Sequence, residues 1–581
     1  MTTSPGADPV ELAPPADGAE PVEPVEPDPP PPPLPSQTSV ARSSLAMAGG
    51  SVVSRVLGVV RQSLIVAAIG LGTVNNAFTT ANTLPNIIYM IIAGGVLNSV
   101  LVPQLVKAAK NADGGRAYTD RIITLTTTGF LIVTIACTAG AGWLVTLYAR
   151  SIAPDALSLA TFFALLTVPQ IFFYGVYAVL GQVLNARGQF AAFGWSPALA
   201  NVVSIIGLLA FMGLYDGHVS PDAWTSSMVW LFAGTATASI AVQAVFLVIP
   251  LWRSGFRWRP RFGLRGVGLR TTSKVAGWAF AALLLAQLGY LLASNIMWRA
   301  SDQGPALGQF IPGVAVYSNA LFVFMVPHAF VALSIITALY PRISRAAQAG
   351  DASTLRHEYV RGMTVPATVT LPASVALVVF ALPITQLLFT SPSDDGLAAT
   401  AQVLAVMGLG VVPFGIDVLN QRFFYAHDDG RMAFREQVVL TLVGTSIAVS
   451  ALFFPPQYTV AIIGGSVVVS NVASSLFGMW FVRKRLGHIG GRVVVRRLVR
   501  LGICSLVAAA IAWPVVIGCT GLVHGRVGGL VTLVVGGGIF GVAYLLMAFL
   551  LRVTEVWDLL TPVTSRLATR IPGRRGGRHR A

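Results

Sequence analysis

Apolar segments long enough to cross a membrane recur along this chain of 581 residues, from residue 44 to residue 551. A helix of about 20 apolar residues spans roughly 30 Å, the thickness of the hydrocarbon core of a bilayer. The pattern therefore predicts an all-α polytopic membrane protein with about 14 transmembrane helices. The fourteen segments cover residues 44–71, 77–106, 122–149, 156–186, 190–213, 225–251, 275–297, 313–340, 362–390, 396–421, 436–454, 459–482, 501–521 and 528–551.

The basic residues are distributed unevenly between alternate loops. The loops after even-numbered segments, with the C-terminal tail, contain 33 Lys and Arg residues, and the loops after odd-numbered segments contain only Arg150, Arg299 and Arg526. Because Lys and Arg accumulate in cytoplasmic loops, this asymmetry predicts that both termini are cytoplasmic. The net charge of +16 is dispersed over many loops rather than gathered on one face, so no nucleic-acid partner is expected.

A weak internal repeat relates the first six segments to the next six. PQLVKAA at 103–109 recurs as PRISRAA at 341–347, an offset of 238 residues, and Pro85 and Pro327 lie 242 residues apart. Six intervening segments place both copies in the same direction across the membrane, as in transporters built from parallel repeats. This arrangement predicts two pseudo-symmetric six-helix halves, with segments 13 and 14 as two extra C-terminal helices.

Composition marks the tails and the linker of this architecture. Overall, 54% of the residues are hydrophobic and 11% are charged, whereas the start of the chain is acidic and proline-rich (PVEPVEPDPPPPPLP) and is expected to be disordered. Trp and Arg alternate in LWRSGFRWRPRFGLRGVGLR, which indicates an interfacial linker. The predicted organisation is a cytoplasmic tail at 1–43, a first half at 44–251, the linker at 252–274, a second half at 275–482, a basic cytoplasmic loop at 483–500, the two extra helices at 501–551 and a basic cytoplasmic tail at 552–581.

Two arginines, Arg55 and Arg61, lie inside the first apolar segment in the sequence SRVLGVVRQ. An arginine at mid-membrane costs about 2.5 to 3.5 kcal/mol on insertion scales, so Arg55 is expected to face a polar interior, whereas Arg61 is near enough to an interface to snorkel. Guanidinium groups bind phosphate bidentately and keep their charge, which favours an anionic, phosphate-bearing ligand. The alternative is that each arginine binds backbone carbonyls where helices break.

Other polar side chains in the apolar segments are candidates for substrate or ion binding. Asn76 and Asn86 are candidate substrate contacts, although Asn86 follows a proline, where helix repair is an equal explanation. Asp417 is the only acid that the pattern places within a segment, and with His328 it is a candidate for ion coupling. The alternative for Asp417 is an ion pair with Arg422. P-loop, HExxH and GxSxG motifs are missing, so neither enzymatic activity nor a cofactor is expected.

Several of these motifs together resemble the MurJ (MviN) family of lipid II flippases, which belongs to the MOP superfamily with MATE exporters and polysaccharide flippases. They are SRVLGVVRQSLIVAAIG, NNAFTTANTLPNII, LNSVLVPQL, LNARGQF and FYAHDDGR. The resemblance implies that the two arginines of the family's first helix correspond to Arg55 and Arg61, and its Pro-Asn pair to Pro85 and Asn86. The chain departs from the family pattern at four positions, where Asn76 replaces an aspartate, Tyr89 and Phe322 replace arginines, and Gly94 replaces an acid.

What the resemblance implies is a flippase of the bacterial cytoplasmic membrane that moves undecaprenyl-pyrophosphate-linked disaccharide-pentapeptide to the outer leaflet by alternating access. Its partners would be this lipid-linked oligosaccharide, membrane lipids and candidate cell-wall synthesis proteins. Three alternatives remain open at this stage: a flippase for another lipid-linked saccharide, a cation-coupled exporter of the MATE kind, and a transport-inactive scaffold for cell-wall synthesis.

Overall fold

The computed structural model of the chain describes residues 37–93, 116–263, 274–391, 393–523, 525–553 and 556. Within these ranges the regular secondary structure is helical. The helices are α1 Gln37–Ile69, α2 Thr73–Ile92, α3 Arg116–Ala139, α4 Ala141–Tyr148, α5 Pro154–Thr167, α6 Gln170–Ala186, α7 Phe190–Leu214, α8 Ser226–Phe246, α9 Val248–Arg253, α10 Lys274–Ser301, α11 Gly304–Leu307, α12 Val314–Pro327, α13 Leu333–Gln348, α14 Ala352–Val379, α15 Ala381–Leu388, α16 Asp394–Gly408, α17 Val411–Ala426, α18 Gly430–Ser450, α19 Thr459–Leu486, α20 Gly491–Leu522 and α21 Gly525–Leu550.

The lengths and hydropathies of these helices confirm the prediction of an all-helical, multi-spanning membrane protein. Among the described residues, 11 helices are long and apolar enough to cross a membrane, or up to 13 if two bent pairs each count as one span. The bent pairs are α12 with α13, at 49°, and α16 with α17, at 51°. The predicted segment 77–106 overlaps α2, but its second part lies outside the described residues.

Proline explains the break between α12 and α13. Pro327 has no backbone N–H and its ring clashes with the carbonyl four residues earlier, so a regular helix cannot continue through it. A π-helical turn, His328–Ala332, follows Pro327 directly and connects α12 to α13. Carbonyl groups in such a turn are left available to donors from neighbouring helices.

An aromatic cluster holds α2, α5, α7 and α8 together. The ring of Phe232 contacts those of Phe78 and Phe211 edge-on, at centroid distances of 4.7 and 4.9 Å, and Phe163 packs edge-on against Trp224 at 5.3 Å. All five side chains are buried. Because edge-to-face pairs add to the stabilisation from burial alone, this cluster fixes the mutual positions of four helices.

The last two helices, α20 and α21, pack against each other and against α14 and α15. The Tyr544 hydroxyl of α21 donates a hydrogen bond of 2.7 Å to the Thr368 carbonyl of α14. That carbonyl lies four residues before Pro372, which has no N–H to bind it, and a buried tyrosine hydroxyl needs such an acceptor in an apolar environment. The two helices are therefore joined to the rest of the molecule through one long helix and its continuation.

The part of the predicted linker that the structure describes, up to residue 263, binds the first two turns of α3. The backbone N–H of Arg259 donates to buried Asp120, and the Arg261 side chain lies 3.8 Å from the same carboxylate. The Thr124 hydroxyl accepts hydrogen bonds from the Trp258 indole and from the Arg261 backbone. The segment is thus docked on a helix surface by polar contacts at both Asp120 and Thr124.

Helices α1 and α7 approach so closely at two glycines that a methyl group would not fit. A Cβ on Gly194 would lie 2.7 Å from the Met47 Cα atom, and one on Gly50 would lie 2.7 Å from the Gly194 carbonyl oxygen. Both obstacles are backbone atoms, which cannot move aside without shifting a helix. Elsewhere in α7, Gly213 has no atom within 4 Å of its added Cβ.

We expect Gly194→Ala to lower thermal stability by about 1 to 3 kcal/mol, the range for overpacking a tightly packed contact. Thermal unfolding of the purified protein in detergent measures this change. Gly213→Ala is the matched control on the same helix, and its melting temperature is expected to stay the same or rise, because alanine favours helices over glycine. Equal melting temperatures for both variants would contradict the close contact.

Candidate functional site

A polar cavity lies between α1, α2, α6, α7, α8 and α12. The space open to the centres of water molecules inside it is about 200 Å³. Its apolar lining consists of Ile65, Phe78, Leu208, Phe232, Ala236, Ile240 and Phe322. Its polar lining consists of Arg61, Gln62, Thr79, Asn82, Thr83, Gln170, Tyr174, Ser204, Thr235, Ser239 and Ser318. Hydroxyl and amide groups therefore outnumber charges on its walls.

The amide side chains of the cavity are held in fixed orientations. Gln170 donates to Asn82 Oδ1 and to the Thr237 hydroxyl, both at 3.2 Å, and accepts a hydrogen bond of 3.3 Å from Tyr174. On the opposite wall, Gln62 Nε2 donates to Asn319 Oδ1 at 3.0 Å. These bonds preorganise the lining, so a bound ligand meets donors and acceptors that are already in place.

Arg61 is the one charged side chain among the described residues that line the cavity. It extends from α1, and its Nε is buried with no hydrogen-bond partner in the described part of the chain. A guanidinium has five N–H donors and no acceptor, so a buried donor without a partner leaves capacity to bind an anion or a carbonyl. The geometry thus makes Arg61 a stronger candidate than Arg55 for binding an anionic ligand.

Arg55 does not face the cavity and instead fits the alternative considered from the sequence, in which the arginine binds a backbone carbonyl at a helix break. Its Nη1 donates a hydrogen bond of 2.8 Å to the Ala329 carbonyl, and its guanidinium lies 4.6 Å from the centre of the Phe330 ring. Both residues belong to the π-helical turn after Pro327. Arg55 therefore binds a carbonyl at a helix break, in the second half of the chain, and does not line the cavity.

Asn76 and Asn86, the other two substrate-binding candidates, also lie outside the cavity. Asn76 is buried, and its Oδ1 accepts a hydrogen bond of 2.9 Å from the Ala315 N–H in the first turn of α12. A Cβ on Gly313 would collide with the Asn76 side chain, so the two segments are in close contact. Asn86 is exposed on α2. The structure thus brings Arg61, but not Arg55, Asn76 or Asn86, to the cavity wall.

Tyr89 and Phe322, at which the resemblance implies arginines in the family, lie at or beside the same cavity. Phe322 lines it directly. Tyr89 packs against Tyr174, a lining residue, with ring centroids 5.5 Å apart, and against Phe130 at 6.1 Å. The replacements therefore exchange positive charge for aromatic surface at this site.

Asp417 and His328, the ion-coupling candidates, lie away from the cavity. Asp417 accepts hydrogen bonds from Ser474 and from Gln421, and the Arg422 guanidinium lies over the Tyr340 ring instead. The suggested Asp417–Arg422 ion pair is therefore wrong for this conformation. His328 is buried, with its ring centroid 4.3 Å from that of Phe414.

A second buried acid was missed by the sequence pattern. Glu436 is fully buried in α18, within a helix that qualifies as a membrane span. The expectation that Asp417 is the only acid within a span is thus wrong. The predicted segment 436–454 begins at Glu436 itself, and a charged residue at the edge of a hydropathy window is assigned to the interface. The helix begins six residues earlier, at Gly430, which places Glu436 almost two turns inside it.

Hydrogen bonds that join residues before 263 to residues after 274 gather towards one end of the molecule. This end carries the loops that follow the odd-numbered segments. The bonds pair Gln62 with Asn319, Asn76 with Ala315, Thr80 with Trp298, Leu147 with Asn295, Tyr148 with Ser294, and Arg150 with Asn295. Arg55 with Ala329 is the deeper contact. The molecule is therefore closed at this end.

A polar cavity between groups of membrane-spanning helices, closed at one end, defines the class of the molecule as a transporter-like membrane protein. A family model described as lipid II flippase MurJ matches residues 65–528. The chain belongs to the MurJ family.

Curated relatives and solved structures support this assignment. A probable lipid II flippase MurJ of Synechocystis is 28% identical over 463 residues, which cover 78% of this chain and 83% of the relative. The lipid II flippase MurJ of Burkholderia cenocepacia is 27% identical over 401 residues, covering 67% and 73%.

The fold matches a structure of lipid II flippase MurJ in an inward closed conformation. The TM-score is 0.66 at 15% identity, and the match covers 87% of this chain and 99% of that one. An inward-facing multidrug resistance MATE transporter of the MOP superfamily matches with a TM-score of 0.61 at 16% identity, over 75% and 95% of the two chains. The fold is thus similar to those of both a lipid II flippase and a MATE transporter.

Asn76 generates a prediction about stability. Asn76→Ala leaves the buried Ala315 N–H without an acceptor, which is expected to cost about 1 to 3 kcal/mol. Asn76→Asp keeps an acceptor oxygen and adds a negative charge near a helix N-terminus, so its melting temperature is expected to stay close to that of the wild type. Thermal unfolding of both variants measures the difference. A larger loss for Asn76→Asp than for Asn76→Ala would contradict this interpretation.

Proposed function

We propose that the protein is a lipid II flippase, which moves undecaprenyl-pyrophosphate-linked disaccharide-pentapeptide from the inner to the outer leaflet of the bacterial cytoplasmic membrane. The family match over residues 65–528 carries this proposal. It is supported by a preorganised polar cavity among membrane-spanning helices, since a sugar and peptide head group needs hydroxyl and amide partners when it leaves water. The same match favours the flippase over the exporter and scaffold alternatives.

The proposed architecture has fourteen spans, with two six-helix halves at 44–251 and 275–482, a linker at 252–274 and two further helices at 501–551. Both termini, the tails at 1–43 and 552–581, and the basic loop at 483–500 are proposed to be cytoplasmic, on the strength of the Lys and Arg asymmetry. The end closed by hydrogen bonds is then the outer end. Membrane lipids surround the molecule, and cell-wall synthesis proteins are its proposed partners.

In this proposal Arg61 attracts the pyrophosphate. Its buried Nε has no partner within the described residues, and charge-assisted bonds from guanidinium to phosphate are among the strongest hydrogen bonds available. Arg55 is engaged by Ala329, so we propose that it reaches the phosphate only in a conformation in which that bond has opened. Asn76 and Asn86 are left out of the proposed binding site because of where their side chains lie.

Complementation tests the role of Arg61. Arg61→Ala is expected to lower transport at least about tenfold, because one charge-assisted hydrogen bond contributes about 1.5 to 3 kcal/mol. The measurement is the fraction of lipid II accessible from outside in cells depleted of their own flippase. Arg299→Ala, an exposed arginine outside the cavity, is the control and is expected to support normal transport. If depleted cells that receive the wild-type protein expose no more lipid II than depleted cells without it, the flippase proposal is contradicted. Full activity of Arg61→Ala would contradict the proposed role of Arg61.

Alternating access requires the hydrogen bonds at the closed end to break. Leu147→Cys with Asn295→Cys, joined by a short thiol cross-linker in a background without the three native cysteines, is expected to stop transport until the cross-link is cleaved. Ser54→Cys with Asn201→Cys is the matched control, because Asn201 likewise donates to a backbone carbonyl, here between α1 and α7 within the first half, and neither residue lines the cavity. Transport that continues while the first pair is cross-linked would exclude opening at this end.

A further inference from the structure

Helices α17, α18 and α19 meet at two buried acids. Asp417 of α17 is 2% exposed, and Glu436 of α18 is fully buried. Two neighbours join the acids: the Ser474 hydroxyl hydrogen-bonds to the Asp417 carboxyl and to the Glu436 backbone carbonyl, and Asn420, three residues after Asp417, donates to the Glu436 carboxyl. Neither the cavity nor the linker includes these residues, so the pair requires an explanation of its own.

The hydrogen bonds of the two carboxyls are incomplete. Asp417 accepts from the Ser474 hydroxyl and, at 3.0 Å, from Gln421 Nε2, so each of its oxygens has one donor and can accept another. Glu436 Oε1 accepts a hydrogen bond of 3.0 Å from Asn420, whereas its Oε2 is buried with no partner among the described residues. A buried carboxylate oxygen without a donor is costly, which indicates that a ligand completes the pair.

No positive charge within the described residues compensates these two acids. From α14 the Tyr359 hydroxyl approaches, and it donates to Asn420 rather than to either carboxyl. From α17 itself Tyr425 and Arg422 lie nearby, with the Arg422 guanidinium 5.4 Å from the centre of the Tyr340 ring of α13. The π-helical turn contributes His328, which faces Phe414. Helix α19 contributes the Ser474 hydroxyl but no charge.

Two ionised carboxylates cannot lie side by side in such surroundings. Repulsion between like charges and the loss of hydration both favour a state in which one of the two is neutral. A carboxylic acid also has an O–H donor, which a carboxylate lacks, so a proton on Glu436 provides the donor that the pair needs.

We propose that Asp417 and Glu436 form a proton-binding site, which holds one proton shared between the two carboxyls, with Glu436 as the donor. Loss of this proton places two negative charges between α17 and α18 and pushes the helices apart. The arrangement of these helices is thus sensitive to protons. This inference goes beyond the transport of lipid and does not depend on which lipid is carried.

The position of the pair connects it to the contact between α1 and the π-helical turn. Phe414 lies one turn before Asp417 on α17 and packs against His328. The neighbouring residue, Ala329, accepts the hydrogen bond from Arg55. A displacement of α17 therefore acts directly on the turn whose carbonyl Arg55 binds.

Infrared spectroscopy of the purified full-length protein in detergent tests the proposal, because a protonated carboxyl has a carbonyl stretching band that a carboxylate lacks. At neutral pH the wild type is expected to show this band, and Glu436→Gln is expected to lack it. A wild type without the band at neutral pH, or a band that persists in Glu436→Gln, would overturn the proposal. This readout needs no substrate. The proton-binding proposal can therefore be overturned while the flippase proposal stands, and the flippase proposal can be overturned while the proton-binding proposal stands.

Glu358→Gln is the matched control. Glu358 is buried like Glu436, but its carboxyl lies 3.5 Å from the Arg342 guanidinium, so its replacement should leave the band intact. Loss of the band in Glu358→Gln would show that Glu358, and not Glu436, carries the proton.

Asp417→Asn tests the sharing of the proton and covers the case in which Glu436→Gln fails to fold. With the neighbouring charge removed, the band should disappear at a pH lower by about one unit or more than in the wild type. An unchanged midpoint would exclude a shared site. Exchange of potassium for sodium at constant pH should leave the band unchanged, and its loss in sodium would show that the pair binds a metal cation instead.

Discussion

The cost of an unpaired polar group in hydrocarbon is the constraint on which this structure depends. Water does not reach the middle of the bilayer, so each N–H, carbonyl and charge there must find a partner within the protein or line a cavity. Arg55 meets this requirement at the carbonyl exposed by the Pro327 break, and Asn76 meets it at the first turn of α12. Each of these bonds also joins distant parts of the chain, so the same constraint determines which helices lie together.

The broken helices follow from the same constraint. A proline in a membrane helix leaves carbonyl groups that need donors, and Pro327 is followed by a π-helical turn whose Ala329 carbonyl receives one from Arg55. The hydrogen bond from Arg55 to Ala329 therefore reduces two costs at once, that of a buried guanidinium and that of a carbonyl left without a donor by the helix break. The hydrogen bond lies between the first helix and the break that precedes α13, and it is the deepest of the contacts between the early and late parts of the chain.

Much of the fold could be predicted from the sequence, whereas much of the site could not. Hydropathy over about 20 residues is a strong local signal, and it locates the spanning helices without knowledge of their neighbours. It does not reveal the direction of a side chain around its helix. Arg55 and Arg61 are six residues apart on one helix, yet only Arg61 lines the cavity, because the guanidinium of Arg55 is bound to the π-helical turn. Glu436 was missed because it lies at the edge of its apolar segment, whereas the helix begins six residues earlier, at Gly430.

The resemblance to the family would place arginines at the positions of Tyr89 and Phe322, where this chain has aromatic rings. Aromatic rings at these positions keep the volume of the lining but remove positive charge, and Arg61 then carries the attraction for anions among the described lining residues. A single cation is less costly to enclose than three, because like charges repel each other when hydration is lost. Hydroxyl groups, amides and aromatic faces, which suit sugars and peptides, make up the rest of the wall. Among the described lining residues the cavity therefore offers polar and aromatic surface around a single positive charge, at Arg61.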